Sequence, residues 1–246
     1  MYRGVERPAE PLVDNQKKVE LLRQMDFILV SDGDLVLGTR KPLSGGVEGY
    51  RHNETPVHMA AVDSFWICKF KVTNEDFEIF FPKHKRSPHS QLDDHPVVDV
   101  TYNEVMEYCR RLNEVTGMTF RLPNEVEWVY VAAPYGWEYP HGQEPDMGAG
   151  HIFNDGHEFG CAPVGDLRWK PNYLGLDQIG YNVIEMTQGT YEIPGTNGFE
   201  SDGTYYIAKG GSWGRCKFSP GVHRRRVFDV IDRNPRVGFR LAHSQL

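Results

Sequence analysis

Between Pro134 and Pro171 the sequence runs through glycine, proline, histidine and aromatic residues with little hydrophobic period. A compact domain rarely carries so long a stretch without helix or strand unless the stretch is functional or stabilised by an ion. The segment points to a fold in which short pieces of regular structure support a large irregular lobe. It also fits poorly with a coiled coil or a repeat array, and no internal repeat is found elsewhere in the chain.

The regular pieces lie on either side. Thr73 with Asp76, Thr101 with Glu104, and Asn124 with Glu127 each place a small polar residue three positions before a carboxylate. This is the capping-box spacing, in which each side chain satisfies backbone N–H groups that the first turn of a helix leaves unpaired. Three helices are therefore predicted. The first buries Phe77, Phe80 and Phe81; the second buries Val105, Cys109 and Leu112 and stops before Gly117; the third carries Trp128 and Val131 on one face. Phe27–Gly38 reads as a hairpin around Asp32-Gly33, and Ala61–Lys71 as a strand. Tyr205–Lys209 and Gly238–Ala242 read as short strands. Residues 1–26 form a polar arm in which Asp14 caps a short helix with Val19, Leu22 and Met25 on one side. That arm either packs on the domain or docks on a protein partner. With no linker in view, residues 27–246 are taken as one mixed α+β domain.

Composition fits a globular chain with a sizeable core: 246 residues, 39% hydrophobic before 25 glycines are added, with 13 Phe, 12 Tyr and 5 Trp. No apolar stretch approaches the roughly 18 residues that span a bilayer. Met1–Glu10 carries Arg3, Glu6, Arg7 and Glu10 with no apolar block behind it, so a signal peptide is not expected. Cys68, Cys109, Cys161 and Cys216 form no CxxC pair and read as reduced thiols, with the cytosol as the expected compartment. A net charge of −7 argues against nucleic-acid binding. Against that acidic background, Lys209–Arg240 holds nine basic residues and only Asp229 and Asp232.

Several segments in fixed order carry a resemblance. They are LVLG (35–38), ETPVH (54–58), SFWICKFKVTNEDF (64–77), HPVVDVTYNEVMEYC (95–109), RLPNEVEWVYVAA (121–133), APVG (162–165), NYLGLDQIGYNVIEMT (172–187), KGGSW (209–213) and VGFRLA (237–242). Together they resemble the formylglycine-generating-enzyme/sulfatase-modifying-factor family over about residues 27–242. The resemblance implies a single α+β domain of C-type-lectin-like fold, loop-rich, with sparse antiparallel strands.

Function has to be argued at the site. Family enzymes that oxidise a sulfatase cysteine use a copper-binding cysteine pair shortly after GGS(Y/W). Here that stretch reads GGSWGRCKFSPGVHRRR, with Cys216 as its one thiol. A two-thiolate copper(I) site cannot be built from it, and formylglycine generation is not expected. An iron-dependent relative needs a histidine-rich helix from an added domain, which this chain lacks. His84, His89 and His95 read as members of a solvated loop, while His151 and His157 are candidate loop ligands. The resemblance further implies structural calcium at Asn182 and Glu185, matching the Asn and Glu of the family's GNVWEW segment, though Tyr181 is inserted and Ile184 and Met186 replace the tryptophans. Trp66 and Trp128 are expected in the core, and Arg121 and Arg240 in buried ion pairs or backbone hydrogen bonds.

In this fold the irregular face carries the ligand. The resemblance therefore implies a noncatalytic ligand- or receptor-binding protein, of the kind that phages and diversity-generating cassettes use as variable binding proteins; a phage-encoded copy would be a virion component. The candidate ligand residues are Trp213, Arg215, Lys217, Phe218, His223, Arg224 and Arg226, suited to an anionic or glycan-like ligand or a surface receptor. The alternatives are an unconventional metal-dependent oxidase of the same family, using copper or iron with Cys216, and a structural or assembly protein. If the 224–226 arginines lie on a strand, side-chain alternation splits them, with Arg225 on one side and Arg224 and Arg226 on the other.

Overall fold

The structure is a computed structural model that describes residues 25–38, 56–144, 160–167, 170–191, 204–213 and 221–244. The bulk of the N-terminal arm lies outside them, as do His151, His157, Arg215, Cys216, Lys217 and Phe218.

Strands β1 (Phe27–Val30), β2 (Gly33–Leu37), β3 (His58–Val62) and β4 (Phe65–Cys68) come first. Helices α1 (Asn74–Glu78) and α2 (Tyr102–Thr116), strand β5 (Phe120–Arg121) and helix α3 (Glu125–Ala132) follow. Strands β6 (Ile184–Tyr191), β7 (Tyr205–Lys209), β8 (Arg226–Asp229), β9 (Val237–Gly238) and β10 (Ala242–Ser244) complete the described order. They form an antiparallel sheet β1-β4-β10-β5, a pair β2-β3, and a sheet β8-β7-β6-β9 in which only β6 and β9 run parallel.

All three capping boxes are present. At α2, the Thr101 N–H donates to Glu104 Oε2 at 2.8 Å and the Glu104 N–H returns to Thr101 Oγ1 at 3.2 Å. Gly117 ends the helix in the left-handed region, φ 73°, where a side chain would be strained. The buried face of α2, with Val105, Tyr108, Cys109 and Leu112, meets Phe77, Phe80, Phe120 and Phe239 in the larger core cluster. A second cluster gathers Trp128, Val131, Leu35, Leu37, Phe65 and Ile67 between α3 and the first strands.

Four expectations from the sequence need correction, besides Ala61–Lys71, which divides into the end of β3 and the whole of β4 around Asp63-Ser64. Phe27–Gly38 is not a hairpin, because β1 pairs with β4 while β2 pairs with β3, and the chain changes sheet at Ser31-Asp32. Gly238–Ala242 is not one strand: β9 belongs to the sheet with β6, β10 inserts between β4 and β5, and the intervening Phe239–Leu241 side chains are wholly buried. Trp66 is half-exposed and stacks on His243 at 5.9 Å, whereas Trp128 is fully buried as expected. The histidine loop is not a solvated segment either. Asn74 Nδ2 donates to the carbonyls of Ser90 and Leu92, both at 2.9 Å, and Ser90 Oγ donates to Pro96 O at 2.6 Å. These bonds fold residues 87–96 back onto α1, with Ser87 and Ser90 buried.

Candidate functional site

Helix α3 crosses the paired strands β6 and β7, and its polar positions meet theirs. Glu185 on β6 lies directly opposite Lys209 on β7. Trp128 and Glu125, three residues apart and so on one side of α3, reach them: Trp128 Nε1 donates to Glu185 Oε2 at 3.0 Å and Lys209 Nζ to Glu125 Oε1 at 3.2 Å. Gly210 makes the close approach possible. It has φ 83°, and a Cβ there would stand 2.9 Å from the Gly180 backbone. The Gly211 N–H then donates to Gly180 O at 2.8 Å, and the Trp213 N–H to Asn182 O at 2.8 Å.

Around Glu185 the charges are sealed. Arg240 Nε donates to Glu185 Oε2 at 2.6 Å and Nη2 to Oε1 at 3.0 Å, while Lys71 Nζ stands 3.1 Å from Oε1. Arg240 spends its remaining donors on the carbonyls of Cys68, Lys69 and Asp177. Burial pushes the Glu185 carboxyl up, but the Arg240 and Lys71 cations outweigh it and hold it at about 2. For Lys71 burial wins, lowering the ammonium to about 8 against the pull of Glu185.

The residues expected to hold calcium do not fit that ion. A carboxylate offers about four lone-pair sites, and the four donors Trp128, Arg240 twice and Lys71 take them all. Asn182 is held likewise: its Oδ1 accepts from the Ala162 N–H at 3.0 Å, and its Nδ2 donates to Ala162 O at 2.8 Å and Gln178 Oε1 at 2.7 Å. Calcium wants six to eight oxygens at about 2.3–2.6 Å, and two positive side chains already stand on this carboxylate. Among the described residues no group of three or more His, Cys, Asp or Glu side chains is arranged to hold a metal.

Trp213 forms the wall of an open recess of about 430 Å³ lined with His89, Asn234, Pro235 and Arg236. Only 7% of the tryptophan is exposed. The His89 ring lies against it at 4.6 Å and the Arg236 guanidinium stands 4.9 Å from the indole centroid. Trp213 is therefore a supporting wall with occupied faces rather than a bare stacking platform. Beneath it sits the Cys161 thiol, pushed up to about 12 by burial, against which its hydrogen bonds with Ser90 and Trp213 pull. Burial likewise raises Cys68 to about 11 and Cys109 to about 12.

The arginine run divides by partner. Arg225 clamps Glu125, Nε to Oε1 and Nη2 to Oε2 at 2.6 Å each, and Arg226 Nε donates to Gly210 O at 3.1 Å. Arg224 is half-buried, with its backbone N–H on Gly221 O. His223 lies against this network; burial, with Lys209 nearby, lowers it to about 4 and keeps the ring neutral at pH 7. Its Nδ1 is buried without a hydrogen bond. Of the expected ligand residues, Trp213 lines the recess, whereas His223, Arg224 and Arg226 do not: they lead into and open β8, with His223 near Lys209 and Glu125 and Arg226 on Gly210 O. His89, Asn234, Pro235 and Arg236 were not anticipated. Arg236 stood within the basic segment and gave a signal, whereas His89 reaches the recess from more than a hundred positions away. Arg121 and Arg240 make the ion pairs expected of them, Arg121 gripping Glu127 at 2.7 Å through both Nη atoms.

Comparison with known proteins bears on this architecture as a whole. The chain is 27% identical to the serine/threonine-protein kinase Pkn1 of Chlamydia trachomatis serovar L2, over 95% of its own length and 41% of that protein. It thus spans about two fifths of that relative. Among solved structures it resembles PvdO from Pseudomonas aeruginosa, at TM-score 0.69 and 22% identity, over 89% of this chain and 94% of that one. It also resembles Treponema denticola variable protein 1, at TM-score 0.71 and 17% identity, over 89% and 95%. At these identities the two structures speak for the fold alone, which is the C-type-lectin-like fold of formylglycine-generating enzymes. Among the described residues no helix is long and apolar enough to cross a membrane. A sulfatase-modifying factor enzyme 1-like domain matches residues 13–245, and the chain belongs to that family.

Proposed function

We propose that the domain is a recognition module that binds an anionic or glycan-like ligand at the recess beside Trp213. The observation that carries this reading is the recess itself, an open volume of about 430 Å³ with the Arg236 guanidinium at its side and an aromatic wall. Arg236 belongs to the basic 209–240 segment, on a protein whose net charge is −7. Guanidinium groups present forked donors to carboxylate, sulfate or phosphate, and a basic patch on an acidic chain concentrates an anionic ligand there.

The thiol on which the oxidase reading rests, Cys216, lies outside the described residues, and the described thiols lend that reading no support. Nucleophilic and metal-binding cysteines are thiolates in electropositive, partly exposed surroundings, whereas Cys68, Cys109 and Cys161 are buried with raised pKa values. Likeness to a stretch of a longer chain named as a kinase suits a recognition module, since such modules are carried within larger proteins. The kinase activity is not transferred to this chain.

An acidic-glycan array probed with the purified protein tests the proposal, followed by titration of the best ligand at rising salt. Binding should weaken as salt screens exposed charges over about 8–10 Å, and Arg236→Met should reduce affinity about tenfold, the loss of one charge-assisted contact. Absence of binding to every acidic probe, or affinity indifferent to Arg236→Met, would overturn it.

A further inference from the structure

The loop from Asp177 to Glu185 has the appearance of a cation cradle. Gln178, Gly180 and Asn182 take positive φ values of 50°, 78° and 65°. Such backbone is disfavoured for a glutamine and needs surrounding contacts to hold it. An irregular loop of this kind ordinarily leaves carbonyls in need of a partner.

Here the carbonyls have partners from the protein itself. Asp177 O accepts from Arg240 Nη2 at 3.0 Å, Gln178 O from Lys71 Nζ at 2.8 Å, Gly180 O from the Gly211 N–H and Asn182 O from the Trp213 N–H. Lys71 is the member that joins the two halves of the cradle. Its ammonium bonds the Gln178 carbonyl at one end of the loop and the Glu185 carboxylate, at 3.1 Å, at the other. It does so from a side chain only 1% exposed. A divalent ion brought to Glu185 would have to displace Lys71 or Arg240, or sit against both, with like charges a few ångströms apart in a low-dielectric interior.

We infer that the Lys71 ammonium is the resident cation of this cradle, holding the 177–185 loop in place of a metal ion, so that the loop and the Trp213 recess it supports are independent of calcium. Asn182 passes the order outward: its side chain ties down Ala162 and its carbonyl holds the Trp213 N–H. The inference does not depend on ligand binding at the recess, and the two can fail separately.

The test uses the whole wild-type chain, dialysed against chelator and then melted with chelator or with millimolar calcium. The two melting temperatures should agree within about 1 °C, because an ion that bound only the folded state would raise one of them by mass action. Metal analysis should find no stoichiometric calcium. A melting temperature lowered by chelator or raised by calcium would overturn the inference. In a second arm, Lys71→Met keeps the length of the side chain and removes its charge. It should lower the melting temperature by about 5–10 °C, and it should change the fluorescence of Trp128 and Trp213, which abut the loop. A Lys71→Met protein that melts like the wild type would also overturn it. Should that variant fail to fold, the wild-type calcium comparison still decides.

Discussion

Two glutamates on the same helix–strand crossing each hold two cations, yet they stand in different surroundings. Glu185, Lys71 and Arg240 are sealed in the interior, the carboxylate and the guanidinium both fully inaccessible. Glu125 holds Lys209, which is equally sealed, and Arg225, whose side chain is 29% exposed at the edge. The first group ties the strand β6, helix α3, the segment before α1 and the segment after β9 into one body. The second fastens the start of β8, and with it the arginine run, onto α3. A charge group inside serves to fix the fold, while a similar group at the rim serves to aim a surface.

The largest effect expected from breaking that comparison is at Glu185. Glu185→Leu leaves Lys71 and Arg240 facing one another without their anion, and losing one member of a buried ion pair costs about 3–5 kcal/mol. Urea unfolding should show a loss of that size or no folded protein at all. Glu125→Gln should cost less, about 1–3 kcal/mol, because Arg225 can reach water and the glutamine carbonyl can still accept from the sealed Lys209. If the two losses are equal, the distinction between interior and rim is wrong.

Acid sharpens the same contrast. Glu185 has a folded pKa depressed to about 2, so its contribution is complete above the unfolded carboxyl range near 4.5 and is lost as pH falls from there towards 2. His223 has a folded pKa lowered to about 4. The unfolded chain therefore takes up a proton first, and stability declines from about pH 6.5 down to 4. Melting temperature against pH should fall in two stages, and His223→Phe should make the upper one shallower while leaving the lower, the rest of the upper stage coming from His84 and His95, which burial also lowers. Smallest is the effect of Arg224→Ala, which should leave unfolding within about 0.5 kcal/mol of wild type.

What could be read from the sequence follows the distance between interacting residues. Capping boxes are local chemistry, so Thr73, Thr101 and Asn124 announced their helices to the residue. The 27–38 hairpin was misread for the opposite reason. Asp32-Gly33 is a genuine local turn signal, but β1 and β2 each find a better partner, β4 and β3, and pairing is decided across the fold. Arg121 and Arg240 could be expected to pair because a guanidinium inside an apolar strand has few other options. Lys71 gave the same hint, standing between Phe70 and Val72, yet a lysine usually reaches water, and nothing nearby in sequence marks Glu185 as its partner. At the recess, Trp213 and Arg236 lay in the flagged segment. His89 did not, and its place depends on Asn74 pulling the 87–96 loop inward.

The strand order β1-β4-β10-β5 has a consequence for how the molecule is made. A ribosome delivers β4 and β5 long before β10, the strand that must lie between them, and delivers Glu185 before Arg240. Until then both strands present bare edges, which invite pairing with other chains, and the interior carboxylate has one of its two cations. Native contacts this far apart along the chain make for slow folding. The nascent domain should therefore be a client of chaperones, completing its sheet only once residues 240–244 have cleared the exit tunnel.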